Sequence, residues 1–101
     1  MDKSEALKIA NEFAFVVKNK FDCISVILFG SYAQEKNKEE SDIDIAVVMK
    51  DFSNSTNIQL ELMRLRRKID SRIEPHPFRV IDFNKTNPLA SEILKYGIEL
   101  L

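Results

Sequence analysis

The sequence predicts an α/β domain in which helices flank a small mixed sheet of three to four strands. Two apolar runs of strand length occupy residues 23–29 and 42–50, and segments with apolar residues every three or four positions lie before and after them. The composition, 45% hydrophobic and 31% charged, is that of an ordinary soluble globular protein. A chain of 101 residues is long enough for one core, so we expect a single domain over residues 1–101.

Net charge and cysteine content restrict the expected partners and compartment. A net charge of −1 provides no general attraction to a phosphate backbone, so nucleic acid is not an expected partner. The single cysteine, Cys23, cannot form a disulfide or a cysteine-based zinc site within one chain, which favours a reducing compartment. No signal peptide precedes the first helix, and no apolar run approaches the ~18 residues that span a bilayer. We therefore expect a cytoplasmic protein without membrane contact.

The first predicted helix covers residues 2 to about 20. Asp2 to Glu5 has the pattern of a capping box, and one face of the helix is apolar through Leu7, Ala10, Ala14, Val17 and Phe21, with Phe13 beside them. The run 23–29 follows as a short strand that we expect to be buried on both faces, and Gly30 ends it. Residues 31–40 are predicted to form one helical turn and then a charged loop.

The second strand is predicted from Asp42 to Lys50 and the second helix from about residue 57 to about 71. Thr56 and Gln59 are the expected cap of this helix, and its apolar residues recur at spacings of four, three and four: Ile58, Leu62, Leu65 and Ile69. The opposite side of the helix is basic through Arg64, Arg66, Arg67 and Lys68. We interpret this cluster as a solvated face, and a partner-binding surface is the alternative.

The last third of the chain predicts an edge strand, a helix and a short final strand. Residues 73–83 are strand-like, but Pro75 and Pro77 cannot donate ladder hydrogen bonds, which indicates a strand paired on one side only. Asn87 followed by proline predicts the start of the last helix, and Gly97 is expected to end it as a C′ glycine. Residues 98–101 would then add a short strand.

Two carboxylates lie within the second strand. Side-chain alternation puts Asp42 and Asp44 on one face with Ala46, whereas the opposite face is formed by Ile43, Ile45 and Val47. The Cα atoms of the two acids would be roughly 6.6 Å apart, a spacing at which both side chains can reach one or two metal ions. Because two adjacent carboxylates repel each other, this pair predicts a site for a divalent cation.

The segment from Ile27 to Val48 resembles the signature of the polymerase-beta-like nucleotidyltransferase superfamily. That signature is Gly-Ser, a spacer of about ten residues and Asp-x-Asp between apolar residues, and it matches Gly30-Ser31, the ten residues Tyr32 to Ser41, and Asp42-Ile43-Asp44. Many small members read Gly-Ser-x-Ala-x-Gly. Here the position of the second glycine holds Glu35, which is a departure from the pattern.

The resemblance implies a minimal nucleotidyltransferase. Such an enzyme moves a nucleoside monophosphate, here expected to be AMP, from a nucleoside triphosphate, expected to be ATP, to an acceptor by two-metal catalysis with Mg²⁺ or Mn²⁺. Asp42 and Asp44 would bind the metal ions. Gly30 would let the backbone come close to phosphate, and Ser31 with the following amides would donate hydrogen bonds to it.

Members of the superfamily usually add a third carboxylate from a neighbouring strand. Glu74 is our candidate for this catalytic metal ligand, because it precedes His76 by two positions and so shares its face; Asp82 and Asp70 are the competing acids. If Glu74 is the ligand, its strand lies beside the second strand and the three carboxylates converge. His76 is either an active-site donor or a structural residue. Triphosphate oxygens could be reached by Lys36, Lys38 and Arg72.

The resemblance also implies a partner. Minimal nucleotidyltransferases are often paired with a small helical protein, in some cases a ribonuclease toxin with a HEPN domain whose tyrosine is adenylylated. We expect the acceptor hydroxyl to come from a partner protein, and a homo-oligomer is the alternative to a helical partner. A second function class is an antitoxin-like binding module that neutralises its partner by contact with little or no catalysis.

Other proteins with an Asp-x-Asp sequence fit less well. A haloacid-dehalogenase-like phosphatase has its acids at the end of an apolar strand, whereas here the apolar run follows them. An EF-hand needs further oxygen ligands and a glycine in a loop, which the segment Ala46-Val47-Val48 does not supply. The sequence contains no P-loop.

Overall fold

A computed structural model describes residues 1–100, and it contains three α-helices and four strands. In chain order these are α1 Lys3–Lys20, β1 Cys23–Phe29, β2 Ile43–Met49, α2 Ser55–Arg66, β3 Ile73–Arg79, α3 Pro88–Tyr96 and β4 Ile98–Glu99. The strands form one sheet in the order β3-β2-β1-β4, with β1 antiparallel to β2 and β4, and β3 parallel to β2. The predicted α/β class, element order and mixed sheet are confirmed.

Each face of the sheet carries its own apolar cluster, because side chains alternate along the strands. The cluster beneath α1 and α2 includes Val26, Leu28, Ile43, Ile45 and Val47. The cluster beneath α3 includes Ile27, Phe29, Ala46, Val48 and Phe78. Both central strands are therefore covered on two sides, although β1 is fully buried only over Val26–Phe29 and its first three residues are partly exposed.

The first and last helices begin as the sequence predicts. The Asp2 carboxylate accepts a 2.8 Å hydrogen bond from the Glu5 amide, and the Asn87 side chain caps α3 ahead of the proline at its first turn. Gly97 follows α3 but has a φ of −69°, so it is not the left-handed C′ glycine that we expected. It is required for space instead, since a Cβ there would lie 2.5 Å from the Ile93 carbonyl oxygen.

The second helix differs from the prediction at both ends. It begins two residues earlier, because Asn54 rather than Thr56 accepts the capping hydrogen bond, from the Asn57 amide. It ends at Arg66 rather than near residue 71, and beyond Arg66 the amides of Arg67, Lys68 and Ile69 donate to carbonyl oxygens three residues back. The Arg66 guanidinium donates hydrogen bonds to the carbonyl oxygens of Ser71 and Ile73. Arg66 thus leaves the predicted solvated basic face and joins the following turn to β3.

The third strand is an edge strand, as the prolines predicted, and its free edge is largely closed. Pro75 and Pro77 have no N–H to offer, the Ile73 carbonyl accepts from Arg66, and the Pro75 carbonyl accepts a 3.0 Å hydrogen bond from the Gln59 side chain. The strand stops at Arg79 instead of residue 83, because Val80–Asp82 turns into a 3-10 helix.

The ends of the sheet strands also differ slightly from the prediction. The second strand begins at Ile43, so Asp42 lies just outside it, and the last strand is confined to Ile98–Glu99. The predicted extension of that strand to Leu101 lies outside the described residues. Over residues 1–100, no helix combines the length and apolar character that crossing a membrane requires.

Candidate active site

The candidate acids lie at the end of the sheet where three strand termini meet. The end of β1 pairs with the start of β2, and the start of β3 lies on the other side of β2. In this register Asp44 is opposite Phe29 on one side and opposite Glu74 on the other. Paired residues point to the same face, so Glu74 is beside Asp44 on the side of the sheet that carries α3. The strand of Glu74 therefore lies beside the second strand, and Glu74 faces the same side as Asp44, as its candidacy required.

Gly30 forms one wall of the site. It ends β1 with a φ of +77°, a conformation that glycine adopts without strain. A Cβ built on Gly30 would be 2.5 Å from Oδ2 of Asp44, which is closer than any side chain could stand. The absence of a side chain therefore brings the backbone of the Gly30-Ser31 turn directly against the Asp44 carboxylate.

The other oxygen of Asp44 is bound by a histidine. The Nε2 atom of His76 lies 3.2 Å from Asp44 Oδ1, and both side chains are about a third exposed or less, at 31% and 27%. The imidazole ring also packs edge-on against Phe29, with 5.0 Å between ring centroids. The sequence alone is compatible with either an active-site or a structural role for His76. Its position two residues after Glu74 on the same strand was the available signal.

The three predicted carboxylates do not converge in this conformation. Asp42 is exposed and precedes β2 by one residue, whereas Asp44 and Glu74 are partly buried within their strands. Over residues 1–100, no three side chains of His, Cys, Asp or Glu are grouped closely enough to hold a metal ion as they stand. The visible cause of the difference from the expected convergence is that Asp42 lies outside the strand and is exposed.

Residues after Gly30 form the helical turn that the sequence predicts. The Gln34 amide donates to the Gly30 carbonyl and the Lys36 amide donates to the Ser31 carbonyl, so residues 31–35 form the predicted turn. As at any helical start, its first N–H groups have no acceptor inside the turn. Glu35, at the position of the missing glycine, has a φ of +57°, the left-handed conformation that glycine would adopt more easily.

Tyr32 fixes this turn to the protein. Its side chain is entirely buried and belongs to the apolar cluster beneath α1 and α2. In the sequence Tyr32 is recognisable only as a residue of the spacer, since its burial depends on the packing of distant helices. The consequence is that the Gly30-Ser31 backbone is held by the core on one side and by the Asp44 carboxylate on the other.

The two acids that competed with Glu74 have other partners. Asp82 is in the 3-10 helix beyond the far end of β3, where it accepts a 2.9 Å hydrogen bond from Arg79. Asp70 accepts two hydrogen bonds from the Arg72 guanidinium, and these hold the pKa of Asp70 below its ordinary value. The same contact raises the pKa of Arg72. Arg72 is thus paired within the chain, whereas Lys36 and Lys38 are exposed in the loop before β2.

A shallow groove opens beside His76. Its volume is about 520 Å³, and its walls come from the start of α2, from β3 and from Leu89 of α3. Leu60 is half exposed in this groove, and Pro77 and Phe78 form its floor. A substrate group placed there would be next to the Asp44–His76 contact.

Comparison with known proteins identifies the family. The family model described as polymerase beta, nucleotidyltransferase matches residues 5–101. The chain belongs to this nucleotidyltransferase family. A relative in Methanocaldococcus jannaschii, the candidate protein adenylyltransferase MJ0141, is 32% identical over 105 residues, which cover 95% of this chain and 99% of that protein. The resemblance to the minimal nucleotidyltransferases is thereby confirmed.

Solved nucleotidyltransferase structures share the fold. A crystal structure of a candidate nucleotidyltransferase from Sulfolobus solfataricus superposes with a TM-score of 0.68 at 21% identity, covering 96% of this chain and 80% of that one. A chain of a variant toxin–antitoxin complex named MntA–HpeT superposes with a TM-score of 0.67 at 25% identity, covering 90% of this chain and 70% of that one. The arrangement of helices and sheet in this nucleotidyltransferase is therefore that of its family.

Proposed function

We propose that this nucleotidyltransferase transfers AMP from ATP to a hydroxyl group of a partner protein, in a reaction that depends on Mg²⁺ or Mn²⁺. The observation that carries the proposal is the register between β2 and β3, which places Asp44 beside Glu74 where the Gly30-Ser31 turn begins. The choice of AMP and of a protein acceptor is supported by the relative in M. jannaschii that is named a candidate protein adenylyltransferase.

Asp42, Asp44 and Glu74 are the residues that would hold the divalent cation. Carboxylate oxygens suit Mg²⁺, which keeps several waters and is usually held by one or two carboxylates together with substrate phosphates. These residues suit such a site, because the partly exposed carboxylates of Asp44 and Glu74 are adjacent and Asp42 is exposed one residue before β2. Gly30 keeps free the space beside Asp44 that a Cβ would fill. A bound cation would neutralise charge on the reacting and leaving oxygens of the phosphates.

The proposed reaction needs little covalent participation by the protein. The oxygen of the acceptor hydroxyl forms a bond to the α-phosphorus of ATP and loses its proton to water, the bond from that phosphorus to the bridging oxygen breaks, and pyrophosphate leaves. Gly30 lets the backbone approach the triphosphate, and the unpaired N–H groups at the start of the Ser31 turn donate hydrogen bonds to it. Lys36 and Lys38, which are exposed in the loop before β2, are the cations that we assign to the outer phosphates. Positioning is the main contribution of these residues.

The acceptor in this proposal belongs to a small helical protein of the HEPN type. Similarity to a chain of a toxin–antitoxin complex supports a protein partner. A hydroxyl on the partner's surface would enter beside His76, where the groove of about 520 Å³ opens. The rival function is neutralisation of that partner by contact alone, and the same similarity is compatible with it.

A labelling experiment separates the two functions. The chain is incubated with Mg²⁺, each of the four nucleoside triphosphates labelled at the α-phosphate, and the protein encoded by the neighbouring reading frame. Label on the partner with ATP, lost in both Asp42→Asn and Asp44→Asn, is the result that we expect. Stable binding of the partner without transfer of label by the wild-type chain would support the contact-only function. Full transfer by both variants would refute the assignment of these acids.

A further inference from the structure

His76 is the only described residue that contacts the Asp44 side chain through a hydrogen bond. A carboxylate oxygen accepts hydrogen bonds, so the Nε2–H of the imidazole is the donor across the 3.2 Å separation. The second oxygen, Oδ2, faces Gly30. The Asp44 carboxylate is thus bounded on one side by a donor and on the other by a backbone that carries no side chain.

The His76 ring is itself fixed by its surroundings. Pro75 and Pro77 restrict the backbone on both sides of it, since a proline ring locks φ. The ring packs edge-on against Phe29 on the far side of β2. Ala46, the β2 residue opposite His76, has a side chain small enough to leave room for this contact. A donor held in this way fixes the direction of the acceptor that it binds.

The hydrogen bond between His76 and Asp44 opposes the charge repulsion between Asp44 and Glu74. Asp44 and Glu74 are directly opposite each other in adjacent strands, and like charges in that position repel. Without a donor, the Asp44 carboxylate would gain by turning away from Glu74. The hydrogen bond from β3 instead holds it toward the strand that carries Glu74.

From these contacts we propose that His76 is a positioning residue that orients Asp44 for binding of the divalent cation. This inference rests on the proposed function. A hydrogen bond to a carboxylate that binds metal fixes its orientation, and loss of such a partner typically costs about 10–100-fold in metal affinity. His76 does not bind the cation itself in this account.

The test is Mn²⁺ binding to the full chain, measured by electron paramagnetic resonance for the wild type and four variants. His76→Leu removes the donor, and His76→Gln restores an N–H at a similar reach. Arg79→Leu is the matched control. Arg79 lies on the same strand as His76, and its side chain donates a hydrogen bond to Asp82 instead of Asp44. Asp44→Asn reports whether binding depends on the proposed site at all.

We expect His76→Leu to raise the Mn²⁺ dissociation constant about 10–100-fold, His76→Gln to recover most of the affinity, and Arg79→Leu to bind like the wild type. Transfer activity of His76→Leu should return toward the wild-type kcat when Mn²⁺ is raised to saturation. A loss caused by general disruption would not be reversed in this way. If circular dichroism shows that the leucine variant is unfolded, His76→Asn replaces it, since its shorter amide falls short of Asp44.

Two results would overturn the inference, and they are distinguishable. Wild-type affinity in His76→Leu together with weakened binding in Asp44→Asn would refute the role of His76 and leave the metal site standing. Equal Mn²⁺ binding by the wild type and Asp44→Asn would refute the proposed metal site, and the inference would fail with it.

Discussion

Gly30 and Asp44 are in direct contact, because a Cβ on residue 30 would stand only 2.5 Å from Asp44 Oδ2. The two residues are fourteen positions apart in the sequence and meet where β1 ends beside the start of β2. The contact joins the Gly-Ser part of the signature to its acidic part. It explains why glycine, and not only a small residue, is needed before Ser31.

Gly30→Ala should damage both stability and transfer. The left-handed φ of +77° costs an alanine about 1–2 kcal/mol, and its Cβ would displace the Asp44 carboxylate. Misplacing a reacting group by about 1 Å can cost roughly 100-fold in rate, so we expect a loss of that size. Urea denaturation and the labelling assay measure the two effects.

Gly97→Ala is the control for this change, because its Cβ would meet the Ile93 carbonyl oxygen and Ile27 far from the acids. It should lower stability by about 1–3 kcal/mol while the folded fraction keeps its activity. Equal loss of activity per folded molecule in both variants would contradict the local role of Gly30.

Glu35→Gly should stabilise the protein. Glu35 has a φ of +57°, which costs an L-residue about 1–2 kcal/mol. Glycine removes this strain, but its greater conformational entropy in the unfolded chain offsets part of the gain. We expect a net gain of about 1 kcal/mol in the free energy of unfolding, measured in urea.

Glu35→Ala separates backbone strain from charge. It keeps the strained conformation and removes only the ion pair with Lys3, whose 3.6 Å contact involves a Glu35 side chain that is 74% exposed. Its stability should therefore stay near that of the wild type. A gain in Glu35→Ala equal to that in Glu35→Gly would show that strain is not the cause.

Gln59→Leu should destabilise the junction of α2 with β3. The Gln59 amide donates to the Pro75 carbonyl on the free edge of the sheet, and an unsatisfied carbonyl there costs about 1–3 kcal/mol. Hydrogen exchange and urea denaturation would detect the loss. Gln34→Leu, which removes an amide bonded to the exposed Glu92, should change stability by less than about 0.5 kcal/mol.

Asp70→Asn should reduce stability at neutral pH but not in acid. The Arg72 hydrogen bonds hold the pKa of Asp70 below its ordinary value of 3.8 in the folded state. A carboxyl whose pKa is depressed by folding stabilises the protein above its unfolded pKa and loses that contribution as pH falls through the folded pKa. Melting temperatures of the variant and the wild type should therefore differ at pH 7 and converge well below pH 3.8. A constant difference at both values would contradict this account.

Local patterns predicted most of the fold. The spacing of apolar residues located α1, β1 and β2, and the side chains of Asp2 and Asn87 marked helix starts that depend on nearby atoms only. The errors occurred where distant residues decide the outcome. The Arg66 side chain bonds the carbonyl oxygen of Ile73 in the next strand, and the close packing of Gly97 against Ile27 cannot be read from the sequence.

The candidate site was predictable only in part. Asp42 and Asp44 follow from the motif, and the sequence indicates that Glu74 lies on a strand that could neighbour theirs, but its place opposite Asp44 is set by the register of β3 against β2. The contact between His76 and Asp44 could not be deduced, because it requires the register of β3 against β2 and the direction of one ring. Local sequence constrains neither.

The assignment of Glu74 as the third acid is tested most directly by Mn²⁺ binding to Glu74→Gln and Asp82→Asn. Both changes remove one negative charge from the same part of the chain, on either side of the Pro75–Arg79 segment. Electron paramagnetic resonance should show affinity reduced at least about tenfold in Glu74→Gln, because an acid beside Asp44 is lost, and unchanged in Asp82→Asn. Wild-type affinity in Glu74→Gln, or a larger loss in Asp82→Asn, would contradict the proposed site.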